Sequence, residues 1–332
     1  MNILQVSGET TGRSGGGVGS VVHTISNELV TRGHQCDVIS YGGSAKSSSY
    51  NIIMMGKPWL GAFHLLHLGL YSASYTLSRH EYYDVIHFHL PTCMWTLSLL
   101  AGRDEILSKS VITFHTTALG FRERYYTRCH PHFMSWSDLI HRMGYSRLET
   151  EVERLVGRRK GGRMTAVSER VREELCRYGV DSRIHLIRNP ARGFPEKQDR
   201  TSPVRSEESL VLSVGRLSGQ KGYHQALQAL SRIKKDGMKY LVAGKGKLRE
   251  KLQLVMKKWE VRGEFLGYVP DDTLHKLYSE ARLFLLTSLY EGLPVAALEA
   301  MRFGLPVVGF DSAGLEEIVS RPNLGYICSF GD

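Results

Sequence analysis

Apolar positions along the chain switch between two rhythms. Short apolar runs alternate with longer stretches in which apolar residues recur at helical spacing. "NILQVS" (2–7) opens the chain as a strand. A Gly-rich turn follows, and then the helical pattern "VGSVVHTISNELVTRG", which stops at Gly33, a natural helix end. Further strands are predicted at "CDVISY" (36–41), "DVIHFH" (84–89), "SVITFH" (110–115), "RMTAVS" (163–168) and "IHLI" (184–187). Helical segments lie between them, and strands alternating with helices imply a parallel, doubly wound sheet. From Ala191 to Ser209 the text turns polar and charged, with two prolines, which reads as a linker. The alternation then restarts: "LVLSVG" (210–215), "KYLVAG" (239–244), "GEFLGY" (263–268), "RLFLLT" (282–287) and "LPVVGF" (305–310).

The pattern therefore predicts an α/β protein of two similar doubly wound parallel-sheet domains, 1–190 and 210–332, joined by a linker at 191–209 and facing a cleft. Its length of 332 residues also exceeds what one core usually serves. In open α/β sheets, ligands bind beyond the carboxyl ends of the strands. "GGSAKSSSYN" (42–51) reads as a surface loop. "WLGAFHLLHLGLYSASYTL" (59–77) approaches bilayer-spanning length, but His64, His67 and the serines favour a mostly buried amphipathic helix.

Composition narrows the classes. The chain is 42% hydrophobic and 23% charged, as in soluble globular proteins, with a net charge of +10. That balance favours anionic partners without choosing among nucleic acid, lipid headgroups and phosphorylated small molecules. The five cysteines (Cys36, Cys93, Cys129, Cys176, Cys328) are dispersed, which argues for a reducing compartment. "CHPH" (129–132) lacks the further ligands a zinc site needs, so a polar loop is expected there and no metal. The N-terminus lacks the basic and long apolar regions of a signal peptide. No nucleic-acid module is visible, so no nucleic-acid partner is expected.

Three features carry chemistry. Gly15, Gly16, Gly17 and Gly19 lie between the first strand and the first helix, where backbone N–H groups approach a ligand closely; a plain tight turn is the alternative. The spacing fits neither G-x-G-x-x-G nor a P-loop, which disfavours a dinucleotide oxidoreductase and a P-loop NTPase. In "SVGRLSGQKG" (213–222), Arg216 and Lys221 share a glycine-containing loop at a strand's carboxyl end. A guanidinium fork and an ammonium point charge suit a diphosphate. Finally, "LYEGLPVAALEAMRFGLPVV" (289–308) holds Glu291 and Glu299. Pro294 is tolerated only in a first helical turn, so a helix starts near it and stops at Gly304. Glu291 then lies in the preceding loop and Glu299 in the second turn. Acids accept hydrogen bonds from hydroxyls, and the helix-start amides between them donate. The alternative is an acidic helix-start residue and a surface residue.

Together these motifs resemble the GT-B glycosyltransferases of family 4, retaining enzymes that use nucleotide sugars. The resemblance covers nearly the whole chain. It rests on "GGGVG", "DVIHFH", "TFHTT" (113–117), "TAVSERV" (165–171), "VGRLSGQKG" (214–222), "EGLPVAALEAMRFGLPVV" (291–308) and "GLEEIV" (314–319). It implies that Arg216 and Lys221 bind the donor diphosphate and stabilise the departing charge. Glu291 would contact the transferred sugar, and Glu299 the ribose hydroxyls. Gly292, Leu293 and Pro294 would present backbone amides, and Gly16 and Gly17 would lie near the diphosphate. His115 would face the sugar and acceptor, with a core histidine as the alternative. The implied reaction moves a hexosyl group from a UDP- or GDP-sugar to a hydroxyl acceptor on one face of the sugar, with no metal or other cofactor and with Glu291 not acting as nucleophile. A nucleotide-sugar epimerase or hydrolase on the same scaffold is the alternative, though it is not expected to carry the paired-glutamate block.

Two features depart from the family pattern. Many relatives have a G-x-G-P turn where this chain has "GKGKLRE" (244–250), which leaves the base open. Relatives also continue for several tens of residues beyond "GYICSFGD", so the final helices are expected to be missing. Residues 120–163 interleave arginines, histidines and aromatics in the region that meets the acceptor. They suit an anionic membrane surface or lipid-linked acceptor, or equally a solvated helix. The expected location is cytoplasmic, with peripheral contact at the membrane face.

Overall fold

The computed structural model describes residues 1–9, 16–41, 49–55, 64–158, 161–177, 179–180, 183–192, 209–233, 237–312 and 314–331. Gly15, most of the loop read at 42–51, and nearly all of the linker read at 191–209 lie outside them. The chain forms two compact units: Met1–Arg122 with Ile140–Pro190, and Glu123–Leu139 with Ala191–Asp332.

The first unit is built on seven parallel strands: β1 (Asn2–Val6), β2 (Gln35–Tyr41), β3 (Asn51–Met55), β4 (Val85–Leu90), β5 (Ser110–Phe114), β6 (Arg163–Ala166) and β7 (His185–Leu186). Their order is β3-β2-β1-β4-β5-β6-β7. The helix Gly17–Thr31 links β1 to β2 and ends as its sequence dictates. Gly33 adopts φ 82°, its N–H donates to the Val30 carbonyl at 2.9 Å, and the His34 N–H donates to the Leu29 carbonyl at 3.0 Å. β3 was not expected. Ile52 and Ile53 are only half-buried on this edge strand, so its apolar signal is weak.

The helix His64–Arg79 corrects the amphipathic expectation. Against the helix Met94–Leu99 it buries Leu68, Gly69, Ser72, Ala73 and Thr76, while Leu66, Leu70, Tyr71 and Leu77 are exposed. The small residues let the two backbones approach, and Ser72 Oγ and Thr96 Oγ1 share a hydrogen bond of 2.7 Å across the contact. Among the described residues no helix is long and apolar enough to cross a membrane.

The second unit holds six parallel strands: β8 (Ser209–Val214), β9 (Met238–Ala243), β10 (Gly263–Gly267), β11 (Leu283–Leu286), β12 (Val307–Phe310) and β13 (Gly325–Cys328), in the order β10-β9-β8-β11-β12-β13. β13, within the terminal "GYICSFGD", is another half-buried edge strand that the apolar pattern did not reveal. Both sheet faces are covered. Leu210, Leu212, Leu241, Phe284 and Val307 pack toward the helices Asp271–Glu280 and Val295–Arg302. Val211, Tyr240, Val242 and Phe265 pack toward Tyr223–Arg232 and Arg249–Lys258. Strands buried on both faces read as continuous apolar runs, which is why these were legible.

Residues 123–139, read from sequence as part of the first domain, pack within the second unit. Phe133 stacks on His224 at 4.2 Å, and Lys251 lies over the Phe133 ring at 5.1 Å. Arg124 donates to the Asp311 carbonyl at 2.8 Å, and Arg128 pairs with the Asp311 carboxylate at 3.3 Å. These partners are distant in sequence, and no local period announces them. Of the "CHPH" residues, the Cys129 thiol lies beside Gly219, and His130 and His132 pack edge-on around Phe133. Among the described residues no three His, Cys, Asp or Glu side chains come together as metal ligands.

Gly69→Ala is expected to destabilise the protein although alanine is the better helix former. A Cβ at Gly69 would lie 2.6 Å from Trp95 Cβ and 3.2 Å from the Trp95 carbonyl carbon. Overpacking of that kind outweighs the propensity gain, for a net loss of about 1–2 kcal/mol. Urea unfolding of the variant checks the sign, and a gain in stability would refute the backbone contact.

Candidate functional site

In the second sheet the strand order reverses between β8 and β11, so the crevice beyond their carboxyl ends is the place where this architecture puts a ligand. The loops at that point carry the residues singled out by sequence. After β8 come Gly215 and Arg216, a single 3-10 turn Gly219–Lys221, and Gly222 leading into the helix Tyr223–Arg232. After β11 come Thr287–Glu291, then Gly292, Leu293 and Pro294, with Pro294 capping the helix Val295–Arg302.

The two loops are fastened together. The Leu289 N–H donates to the Gln220 carbonyl at 2.8 Å, and Gln220 Nε2 to the Tyr290 carbonyl at 2.9 Å. Thr287 Oγ1 donates to the Lys221 carbonyl at 3.2 Å. Gly222 makes this possible. Its φ is 62°, and a Cβ there would sit 1.9 Å from the Thr287 carbonyl oxygen. Above these bonds the Lys221 ammonium donates to Glu291 Oε1, with both side chains largely buried. The cation and the acid are thus held as a contact pair. Arg216 is exposed on the same loop.

A second close approach supports that loop from the other side. The Leu217 N–H donates to the Lys245 carbonyl at 2.8 Å. Cβ atoms at Gly244 and Gly246 would lie 1.8 Å from the Gly215 carbonyl oxygen and 2.2 Å from that of Leu217. The "GKGKLRE" turn therefore braces the Arg216 loop through its two glycines. Gly314, at φ 74°, packs on the Gly292 carbonyl, where a Cβ would approach to 2.4 Å. Gly292, Leu293 and Pro294 are themselves buried.

Glu299 is not a surface residue. It is 2% exposed in the second turn of its helix. Tyr278 Oη donates to its Oε2 at 3.0 Å, and Arg192 Nε lies 3.2 Å from its Oε1. Burial pushes the Glu299 carboxyl up, against the pull of the Arg192 guanidinium and the Tyr278 hydrogen bond. Glu291 and Glu299 thus have different partners, one on the β8 loop and one at Arg192. The paired glutamates are brought to one helix start as the proline implied, but the sequence reading missed Arg192, which lies in the stretch read as linker. It also missed Gln220 and Tyr278. Nothing in the local pattern marks them, because each acts on a residue many positions away.

In the first unit, Gly16 caps the helix Gly17–Thr31, and its N–H donates to Glu9 Oε2 at 3.2 Å. An acid of the chain itself thus occupies that donor. His115, directly after β5, is buried in a polar ladder on one face of the sheet. His115 Nε2 and His89 Nδ1 are 3.1 Å apart, His89 Nε2 is 2.9 Å from Gln5 Oε1, and Gln5 Nε2 donates to Ser26 Oγ at 2.5 Å. His87 bonds to Thr113 at 2.7 Å. Burial pushes His115 down to about 3, His87 down to about 4, and His89 well below its usual value. His89 and Gln5 were within quoted strands, but only strand pairing shows that they meet His115.

Two units of doubly wound parallel sheet, with charged and Gly-rich loops at the strand ends, have the architecture of the GT-B fold. Comparison with known proteins agrees. The family model described as Glycosyltransferase Family 4 matches residues 15–191, and that described as Glycosyl transferases group 1 matches residues 195–332. The chain belongs to glycosyltransferase family 4 and is a glycosyltransferase. Across 97% of its length it is 28% identical to an uncharacterized glycosyltransferase of Methanocaldococcus jannaschii, 83% of which is covered. Over 36% of the chain it is 32% identical to the GalNAc-alpha-(1->4)-GalNAc-alpha-(1->3)-diNAcBac-PP-undecaprenol alpha-1,4-N-acetyl-D-galactosaminyltransferase of Campylobacter jejuni, covering 33% of that protein. Among solved structures, HepE of Anabaena in complex with UDP-glucose shares the fold with a TM-score of 0.70 at 20% identity, covering 100% of this chain and 86% of HepE.

The buried histidines predict a pH dependence. Their folded values lie below the ordinary value near 6.5, so the unfolded chain binds more protons between 6.5 and about 3–4. Stability is therefore complete above pH 6.5 and falls as pH drops, by up to about 1.4 kcal/mol per pH unit for each histidine. Denaturant unfolding at pH 7.5, 6 and 5 reads this. The slope should shrink in His89→Gln, and a flat profile in the parent protein would contradict neutral burial.

Proposed function

We propose that the protein transfers a hexosyl group, with retention of configuration, from a UDP- or GDP-sugar to a hydroxyl of a lipid-linked glycan. The observation that carries this reading is the Lys221–Glu291 pair, fixed at the β8/β11 reversal by the bonds between turn 219–221 and residues 287–291. A diphosphate competes with Glu291 for Lys221, and Arg216 adds a guanidinium fork from the same loop. Once Lys221 turns to phosphate, the Glu291 carboxylate is released to accept hydrogen bonds from sugar hydroxyls. Both cations then stabilise the charge that grows on the leaving diphosphate, which is where electrostatic catalysis acts most strongly. Glu291 serves as acceptor and not as nucleophile, and the leaving phosphate helps to take the proton of the acceptor hydroxyl. Backbone amides of Gly292 and Leu293 donate to sugar or phosphate, Pro294, which has no N–H, fixes the helix start beside them, and Glu299 accepts from ribose hydroxyls. The reaction in this reading uses no metal. In the first unit, Gly16 and Gly17 serve the diphosphate, and His115 serves the sugar and acceptor.

The lipid-linked acceptor is supported by the name of the Campylobacter jejuni relative, whose substrate ends in PP-undecaprenol. It is also supported by the surface of the helix Ser146–Gly157 and its flanks, where Arg147, Leu148, Leu155 and Arg158 are exposed together with Arg142 and Met143. Leucines beside arginines suit the interface of an anionic membrane, and we place the protein at the cytoplasmic face. The epimerase or hydrolase alternative is not favoured by the family matches.

A thermal-shift screen of UDP, GDP, ADP and their sugars tests the donor class; no response to any of them would overturn it. Glu291→Ala should reduce transfer at least ~100-fold in a folded protein. Arg216→Ala with Lys221→Ala should weaken nucleoside-diphosphate binding at least ~10-fold by calorimetry. Full activity or unchanged binding would refute the respective roles. Sedimentation with vesicles containing anionic phospholipid tests the membrane contact, and equal recovery with neutral vesicles would argue against it.

A further inference from the structure

Arg192 has no place in the motifs that identify the family, yet it sits on a residue to which the donor reading gives a role. It leaves the first unit two positions after Pro190 and reaches the helix Val295–Arg302. Its Nε lies 3.2 Å from Glu299 Oε1, and its other arm pairs with Asp271, which is mostly exposed. Its backbone carbonyl accepts from the Arg302 guanidinium at 3.2 Å. The backbone is thus anchored on the same helix whose acid the side chain holds. Tyr278 Oη donates to the other Glu299 oxygen at 3.0 Å.

A carboxylate offers roughly four acceptor positions; the Tyr278 hydrogen bond uses one on Oε2, and the Arg192 guanidinium lies against Oε1 as an ion-pair contact. That leaves at least one position on each oxygen, the number required by two adjacent hydroxyls. An acid buried to 2% exposure tends to take up a proton, and a protonated Glu299 would lose acceptor capacity. Arg192 is the cation that opposes this. Among the described residues, the ionisable groups that also act around the pair include Asp271, Asp272, His275, Arg302 and Tyr223. Asp271 disfavours the Glu299 charge but is itself held by Arg192. Tyr278 donates whichever way Glu299 is ionised.

We propose that Arg192 is a positioning residue for donor binding: it holds the Glu299 carboxylate ionised and turned so that its free lone pairs accept from the vicinal hydroxyls of a nucleoside ribose. This rests on the nucleotide-sugar reading above. Arg192 acts through Glu299 and need not touch the ligand.

The test is calorimetric binding of UDP and GDP between pH 6 and 8.5 to the parent, Arg192→Met, Arg192→Gln, Arg192→Lys and the double variant Arg192→Met with Glu299→Gln. Affinities are expressed relative to the parent at each pH, which cancels the titration of the terminal phosphate. For Arg192→Met and Arg192→Gln the relative affinity should fall a further ~10-fold from pH 8.5 to 6, as Glu299 takes up a proton. Arg192→Lys should flatten the profile again. The double variant should bind weakly at every pH without that slope, because its Gln cannot titrate. A relative affinity independent of pH in both Arg192→Met and Arg192→Gln would overturn the proposal. Failure of the parent to bind either nucleotide would overturn its ribose part and the donor reading. The link to Glu299 is then read separately by carboxyl carbon-13 titration. A Glu299 resonance titrating at higher pH in Arg192→Gln than in the parent supports the link, and coincident titrations refute it.

Discussion

The second unit depends on one steric condition: the backbone after β8 must touch the backbone after β11. A side chain at Gly222 would run into the Thr287 carbonyl, and the residue also occupies the left-handed region. With glycine there, the turn 219–221 can be hydrogen-bonded to residues 287–291 along its length. The same device recurs where Gly244 and Gly246 meet Gly215 and Leu217, and where Gly314 meets Gly292. Glycines cost conformational entropy on folding, so their concentration at these contacts marks where main chain must approach main chain. The charged pair Lys221–Glu291 is a consequence of this framework, since neither side chain could be placed without it.

The two acids of the helix-start segment then differ for a physical reason. Glu291 is placed by a loop and pairs with a lysine from the adjoining loop. Glu299 is placed by a helix and is closed in by Tyr278 and Arg192. Burial raises the tendency of Glu299 to take up a proton, and the guanidinium and the phenol hydrogen bond beside it pull the other way. In the first unit burial works in the opposite sense. Burial keeps His87, His89 and His115 uncharged, and the hydrogen bonds from Ser26 through Gln5 and His89 to His115 fix the rings in place.

Much of this was legible from the residues. Strands buried on both faces are apolar throughout, so the inner strands stood out, and Gly33, Gly304 and Pro294 marked helix ends by their backbone preferences. β3 and β13 did not stand out, because edge strands are half-buried and carry a diluted pattern. The helix His64–Arg79 misled for another reason. Apart from Leu68, its buried stripe is made of small and polar residues that allow close helix packing, so Leu66, Leu70, Tyr71 and Leu77, of the kind that usually marks the core face, lie outside.

The sequence by itself determined the alternation of strands and helices, the two-domain α/β class, the positions of Arg216 and Lys221 on one loop, and the break that Pro294 puts between Glu291 and Glu299. These are local properties, set by periodicity, by the missing N–H of proline and by the freedom of glycine. Only the tertiary structure decided the partners: Lys221 with Glu291, Arg192 and Tyr278 with Glu299, Gln5 and His89 with His115, and the packing of residues 123–139 within the second unit. Each joins positions far apart in the chain. Which distant groups meet is fixed by strand order and register, and no local pattern of residues encodes it.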